Sequence, residues 1–407
     1  MAKQTTPPYR QLPRNVWIVT LTSFFTDISS EMVINLLPLF LANVLGVRTS
    51  LIGLIEGLAE SAASLLKIFS GWFSDKLGQR KSLAVIGYGI STVTKPFLYI
   101  VSSWGGVLAV RFGDRVGKGV RTAPRDALLA DSVDAQQRGL AYGLHRAGDT
   151  AGAMIGLLIA LLVVWAAQQG AVALTRSTFQ QVVLVSIVPA VLAVLVLAFG
   201  ARETAVAQQR ALPQLSWRQF DRRFRRFLLV LILFTLGNSA DAFLILRAQE
   251  RGLSVIGILG MLATFNFVYA ALSGPLGAWS DRVGRARLIT GGWLVYGLLY
   301  LGFALAQTAV HIWLLYTLYG IYYAAVEGTA KAFVADLVAP EQRGTAFGLY
   351  NAAIGLAILP ASLIAGVLWQ GVGSWDGFGP AAPFLWGAGL AGTAVILLNT
   401  WVKRGNP

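Results

Sequence analysis

No cysteine occurs among the 407 residues. That excludes disulfide staples, Cys-ligated zinc and iron–sulfur clusters. His145 and His311 are the only histidines and stand far apart in sequence, so no metal site and no cofactor is expected. Charged residues make up only 13%, about half the share of an average soluble domain. A soluble chain of this length would need more polar surface to cover its core. The short alternating segments of a membrane barrel are not visible. No G-x-x-x-x-G-K-[ST] segment occurs, which argues against ATP drive. A recognisable nucleophile motif and a polar catalytic domain are missing too, so an enzyme is not expected.

What remains is apolar: 56% hydrophobic residues, 11% aromatics and 44 glycines. A helix needs roughly 20 apolar residues to cross the hydrocarbon layer. The sequence predicts an all-α integral membrane protein with twelve spanning helices. They fall at roughly 16–45, 50–73, 82–101, 104–126, 140–166, 179–200, 226–247, 253–277, 288–307, 311–334, 345–369 and 382–402. The polar, Pro-rich stretch from Met1 to Pro13 precedes a run too long for a signal-peptide core, so the first span is read as retained.

Orientation follows from the basic residues. With both termini inside, 23 Lys and Arg fall in inside segments and four, Arg48, Arg176, Arg247 and Arg251, in outside loops. The remaining six of 33 are within helices. This bias places both termini in the cytoplasm of a multi-pass inner-membrane protein. The net charge of +14 is therefore topogenic, and nucleic acid is not an expected partner. The basic stretch from Arg202 to Arg226 contacts membrane lipid headgroups in this reading. It separates an N-terminal bundle, residues 1–200, from a C-terminal bundle, 226–407, with a linker at 201–225.

The two halves repeat. The segment Asp131–Leu144 matches Asp336–Leu349 at eight of fourteen positions. Gly71-Trp-Phe-Ser-Asp75-Lys-Leu-Gly78-Gln-Arg80-Lys81 matches Gly277-Ala-Trp-Ser-Asp281-Arg-Val-Gly284-Arg285-Ala-Arg287. Both loops follow the second helix of their half, so two pseudo-symmetric six-helix bundles are expected, with a site between them.

The Gly71–Lys81 segment resembles the loop 2–3 signature of the major facilitator superfamily, G-x-x-x-D-[RK]-x-G-[RQ]-[RK]-[RK]. The second copy departs from it only at Ala286. Arg115 to Gly119 resembles part of that family's helix 4 signature, with Lys118 where glutamine is typical. The resemblance implies a secondary transporter working by alternating access. It implies gating roles for Gly71, Asp75, Arg80, Gly277, Asp281 and Arg285. Gly71 lets two helices approach closely. Asp75 could accept from a helix N-terminus or pair with arginine across the seam. The glycines of helix 5, Gly148, Gly152 and Gly156, have Leu157 after them, where drug exporters of the family carry proline.

Ionisable groups inside a membrane cost several kcal/mol unless they face a cavity or a partner. Asp27 and Glu31 lie four apart, on one face of helix 1, and cannot both ionise cheaply in low dielectric. They are candidates for proton or cation coupling, with Asp241 in helix 7 and Glu327 in helix 10. Six cations and six carboxylates fall in helix interiors of the first half: Lys67, Lys95, Arg111, Arg115, Lys118 and Arg146, with Asp27, Glu31, Glu56, Glu60, Asp114 and Asp149. Most should neutralise one another. Arg115 and Lys118 are the candidates for cations left free for an anionic substrate group, and Arg146 is a further binding candidate. Asn238 and Ser239 could hydrogen-bond substrate, and Tyr319 and Tyr323 could stack on it. His145 and Asp149, also four apart, are expected to meet.

The sequence thus predicts a proton-coupled secondary transporter, acting as a monomer on a small organic solute or drug, with an anionic or zwitterionic one preferred. Export by antiport is favoured. The alternatives are an importer or uniporter of a sugar-like or inorganic anion, and a lipid translocase on the same fold.

Overall fold

The structure is a computed structural model describing residues 12–134, 137–204, 220–338 and 343–403. Its described residues form helices and no strands. Twelve long helices carry the fold: α1 (Arg14–Val44), α2 (Thr49–Leu77), α3 (Lys81–Ile100), α4 (Trp104–Asp131), α5 (Arg138–Gln168), α6 (Arg176–Gly200), α7 (Arg222–Glu250), α8 (Val255–Val283), α9 (Arg285–Leu305), α10 (Ala309–Asp336), α11 (Arg343–Gln370) and α12 (Ala382–Val402). Ten are long and apolar enough to cross a membrane by length and composition. The other two, α2 and α4, are equally long but carry most of the buried charge, because they pack on each other around it.

The helices form two bundles. In the first, α1 packs on α5 and α6, and α4 on α2 and α3; in the second, α8 packs on α10, and α9 on α10 and α12. Between the bundles the main contacts are α2 with α11 and α5 with α8. Lipid offers no hydrophobic drive to helix pairing, so close packing of small residues holds such seams. Along α2 and α11, Cβ atoms at Gly57 and Gly366 would lie 3.0 Å from Leu359 Cα and 2.6 Å from Ser50 Cα. The glycines of α5 do the same against α1: a Cβ at Gly148 would meet Thr20 and one at Gly156 would meet Ile28.

The start of α1 lies beside the ends of α4 and α6, through Asn15 Nδ2 donating to Ser132 Oγ at 3.0 Å and to the Arg202 carbonyl at 2.9 Å. The start of α7 meets the end of α12, through Arg223 Nε on the Val402 carbonyl at 3.1 Å. This end is called the terminal face, and the opposite end the distal face. Four helices that start at the distal face open with a side-chain cap. Ser103, Thr175, Ser254 and Thr308 accept from the first turns of α4, α6, α8 and α10. The guanidinium of Arg247, 1% exposed, covers the C-terminal carbonyls of α9 at Phe303 and Ala304, at 3.1 and 2.9 Å.

The repeat extends to contacts. Arg80, near the start of α3, pairs with Asp131 at the end of α4 at 3.2 Å. Arg285, at the start of α9, pairs with Asp336 at the end of α10 at 2.6 Å. The two loops differ locally: α3 starts at Lys81, three residues beyond Gly78, whereas α9 starts directly after Gly284. Arg285 therefore does what Arg80 does, although the loop motif aligns it with Gln79.

Candidate functional site

A cavity of about 580 Å³ lies between the bundles. It runs from Pro38 and Ile245 towards Leu231, Glu327 and Ala330. At the distal face it is shut by contacts across the bundles. Asn43 and Gln249, at the ends of α1 and α7, exchange side-chain amide bonds of 2.9 and 2.7 Å. Arg48 donates to the carbonyls of Gln370 and Gly373 at 2.6 and 3.0 Å, and Thr49 N donates to Gln370 Oε1 at 2.8 Å.

The two walls differ in chemistry. The first bundle presents Glu31, Glu56, Glu60, Arg111, Arg115 and Lys118. The second presents an aromatic surface, including Phe234, Trp293, Tyr322 and Tyr323, with Asn238, Ser239 and Asp241 beside it. Phe234 and Trp293 stack at 4.4 Å.

α7 breaks at this wall. Its helical geometry stops at Gly237 and resumes at Ala242, leaving Asn238 to Asp241 non-helical. Gly237 and Asn238 are weak helix formers. The break is tolerated because it borders a cavity and because Tyr296 donates to the Gly237 carbonyl at 3.0 Å. Asp241 is thereby exposed to the cavity and makes no ion pair or side-chain hydrogen bond among the described residues.

The network on α2 and α4 is mostly neutralised. Arg111 takes Glu56 in a two-point contact at 2.7 and 3.3 Å, with Glu60 at 3.6 Å and Asp114 at 3.7 Å. Arg115 faces Glu60 at 3.2 Å and Asp114 at 3.8 Å. The expectation that Arg115 is free is therefore corrected: Glu60, one turn along α2 from Glu56, reaches it. Lys118 makes no ion pair among the described residues and lines the cavity. Glu56→Gln should destabilise the protein by about 1–3 kcal/mol, because buried Arg111 would lose its two-point carboxylate and keep only the longer contacts to Glu60 and Asp114. Melting in detergent checks this, and adding Arg111→Met should recover most of the loss.

The remaining candidates sort by contact. Glu31 lines the cavity, holding Asn35 Nδ2 at 2.8 Å with no cation partner among the described residues. Asp27, one turn away, makes no ion pair or side-chain hydrogen bond among them; the charged groups around it include Asp149, Glu31, Lys118, Arg125, Lys95 and Arg121. His145 does meet Asp149, at 3.5 Å, and its Nε2 lies 3.0 Å from Ser23 Oγ. Lys95 bonds the hydroxyls of Ser29 and Ser30. Ser29 thus serves packing, unlike its sequence counterpart Ser239, which lines the cavity.

Glu327 is a correction. It lines the cavity but is no free carboxylate: Tyr269 donates to it at 2.5 Å, with Arg146 at 3.6 Å and Lys331 at 3.7 Å. Arg146 also donates to Tyr269 at 2.5 Å, so it bridges the bundles instead of lining the cavity. Tyr269 gave no signal in the sequence, since nothing there tells which helix faces Arg146. Tyr319 is likewise corrected: it is fully buried among Tyr296, Tyr316 and Tyr322, whereas Tyr323 lines the cavity.

At the terminal face, a Cβ at Gly71 would touch Ala123 at 3.3 Å, which fits the expected close approach of α2 and α4. One at Gly277 would meet nothing within 4 Å, so packing does not require that glycine here. The contacts given above for Arg80 and Arg285 each stay inside one bundle. The side chains of Asp75 and Asp281 lie outside the described residues.

Twelve helices in two repeated halves around a central cavity define a membrane transporter of the two-bundle class. The family model for the Major Facilitator Superfamily matches residues 19–265 and 227–407. The chain belongs to the major facilitator superfamily. An uncharacterised MFS-type transporter of Methanocaldococcus jannaschii is 36% identical over 395 residues, covering 96% of this chain and 95% of that protein. The crystal structure of the nucleoside transporter NupG superposes with TM-score 0.74 at 15% identity, covering 96% of this chain and 99% of that one. That of a D-xylose–proton symporter gives TM-score 0.76 at 14% identity, covering 97% and 99%. At such identities the two structures speak for the fold. These proteins are transporters, not enzymes.

Proposed function

We propose that the protein is a proton-coupled transporter of a small zwitterionic organic solute. The observation that carries this reading is a pair of unpartnered opposite charges on facing bundles: Lys118 on α4 and Asp241 on α7 both line the cavity, and neither has an ion-pair partner among the described residues. An anionic group of the solute would sit on Lys118 and a cationic group near Asp241. The aromatic wall formed by Tyr322 and Tyr323 would hold the body of the molecule or its cation.

Coupling is assigned to Asp27, Glu31 and Asp241, carboxylates without a cation partner beside or in a cavity that water can enter. Binding there competes with a proton, so solute and proton exchange. Export is favoured. The excess of Lys and Arg supports a cytoplasmic terminal face in the inner membrane, which makes the distally closed form the inward-facing one. Residues 1–200 and 226–407 would then rock as two units about the 201–225 linker, in a monomer surrounded by lipid.

The test has two stages. A thermal-shift screen of metabolites finds a stabilising solute. Protein in liposomes with an internal pH dye should then change the lumenal pH when that solute is added. Flux that leaves the pH untouched, at every imposed gradient, would remove proton coupling. Stabilisation by neutral solutes only would remove the zwitterion. A neutral ring-shaped solute is the second reading, favoured by the aromatic wall; nucleoside and D-xylose are named for the structural neighbours.

A further inference from the structure

A second cavity, of about 470 Å³, opens at the terminal face of the C-terminal bundle. It is lined by Arg223 at the start of α7, Arg282 at the end of α8, and Arg285 and Arg287 at the start of α9. Asp336 is the one carboxylate lining it among the described residues, and Arg285 already holds that group at 2.6 Å. Arg223 spends its Nε on the Val402 carbonyl, and Arg287 reaches the Val283 carbonyl at 3.5 Å. Phe333 and Leu337 complete the wall with apolar surface.

The other bundle indicates what belongs there. At the start of α3, the place equivalent to the start of α9, the carboxylate of Glu203 lies on the helix. Its Oε1 accepts from the amides of Arg80 and Lys81 at 2.7 and 2.9 Å, and its Oε2 from that of Ser82 at 3.4 Å. The pseudo-symmetry is tight here, since the ion pairs Arg80–Asp131 and Arg285–Asp336 flank the two places alike. On α9 the capping residue is Gly284, which has no side chain to offer, and the cleft lies over that turn. So one bundle places its own glutamate on the helix start, and in the other, among the described residues, arginines line the cleft at the equivalent helix start.

We propose that this cleft binds the phosphate of an anionic lipid headgroup. Among the described residues the lining holds Arg223, Arg282 and Arg287 beside the Arg285–Asp336 pair, which leaves it positively charged, and arginine suits a phosphate because it donates in a planar fork. The apolar side formed by Phe333 and Leu337 suits the glycerol and upper acyl region, which a free phosphate ion lacks. The site is separate from the central cavity and does not depend on what that cavity carries.

Purified protein is melted in detergent with short-chain phosphatidylglycerol, short-chain phosphatidylcholine or inorganic phosphate. Phosphatidylglycerol should raise the midpoint by roughly 2–4 °C over phosphatidylcholine. The exposed double variant Arg282→Ala/Arg287→Ala should lose that difference while melting normally without lipid. Native mass spectrometry should count one retained phosphatidylglycerol fewer on the variant. Equal shifts from both lipids, or an undiminished shift in the variant, would overturn the site. A full shift from inorganic phosphate alone would overturn the lipid and leave a free-anion site. Should the double variant melt early, Arg282→Lys/Arg287→Lys keeps the charge and removes the fork; an unchanged retained-lipid count there would also count against the geometry proposed.

Discussion

Transport is expected to stop when the distal ends of α1 and α7 are tied together. Asn43 and Gln249 join them through two amide hydrogen bonds, 2.9 and 2.7 Å long. Each such bond is worth only about 1 kcal/mol net, so thermal motion breaks the pair and the face can open. A covalent tie cannot be broken that way. The chain has no cysteine, so Asn43→Cys with Gln249→Cys supplies the only two thiols. A short, reducible bis-thiosulfonate reagent should bring liposome flux of a screened solute to background. Reductant should restore it, and either single variant should be indifferent to the reagent. Quantitative cross-linking with flux intact would mean that the distal face need not open, and alternating access would fail for this protein.

The second large effect concerns Asp27. Asp27→Asn keeps the side-chain volume and removes the charge. Gradient-driven uptake should fall at least about tenfold, while exchange of labelled for unlabelled solute across the membrane persists. Tenfold corresponds to about 1.4 kcal/mol. Asp27 has the carboxylates Asp149 and Glu31 and the cations Lys118, Arg125, Lys95 and Arg121 in its surroundings, with no ion pair of its own among the described residues. A buried carboxylate among charges of both signs, with no direct partner, changes protonation when one of those charges is screened, as Lys118 would be by an anionic solute group. If driven uptake survives Asp27→Asn, the role passes to Asp241. Glu327 is the weaker alternative, because Arg146, Lys331 and Tyr269 already hold it.

Much of the architecture was legible because it follows from local chemistry. Apolar runs of membrane length and the repeated loops are properties of neighbouring residues. So was the contact of His145 with Asp149, which helix geometry imposes at a spacing of four. The pairing of charges was not legible. Arg115 and Lys118 stand on one helix three residues apart, and nothing in their sequence context separates them. Only the facing of α2 and α4 puts Glu60 within 3.2 Å of one, with no ion-pair partner for the other among the described residues. Tyr319 and Tyr323 differ in the same way, since one turn of α10 decides which ring enters the aromatic core and which meets the cavity. The break in α7 had a local signal in Gly237-Asn238, but the same pair inside a packed helix would have stayed helical.

Residue order was enough to show that this chain lives in a membrane, crosses it twelve times and is built as a repeat. Those properties arise from transfer of residues between water and hydrocarbon, which each segment feels alone. Helix packing settled which charges cancel and which stay available. It also placed a carboxylate, Glu203, on the start of α3 and a cleft lined by arginines at the start of α9. Electrostatic energy in low dielectric depends on separations of a few ångströms between different helices, and the order of residues along the chain does not encode those distances directly.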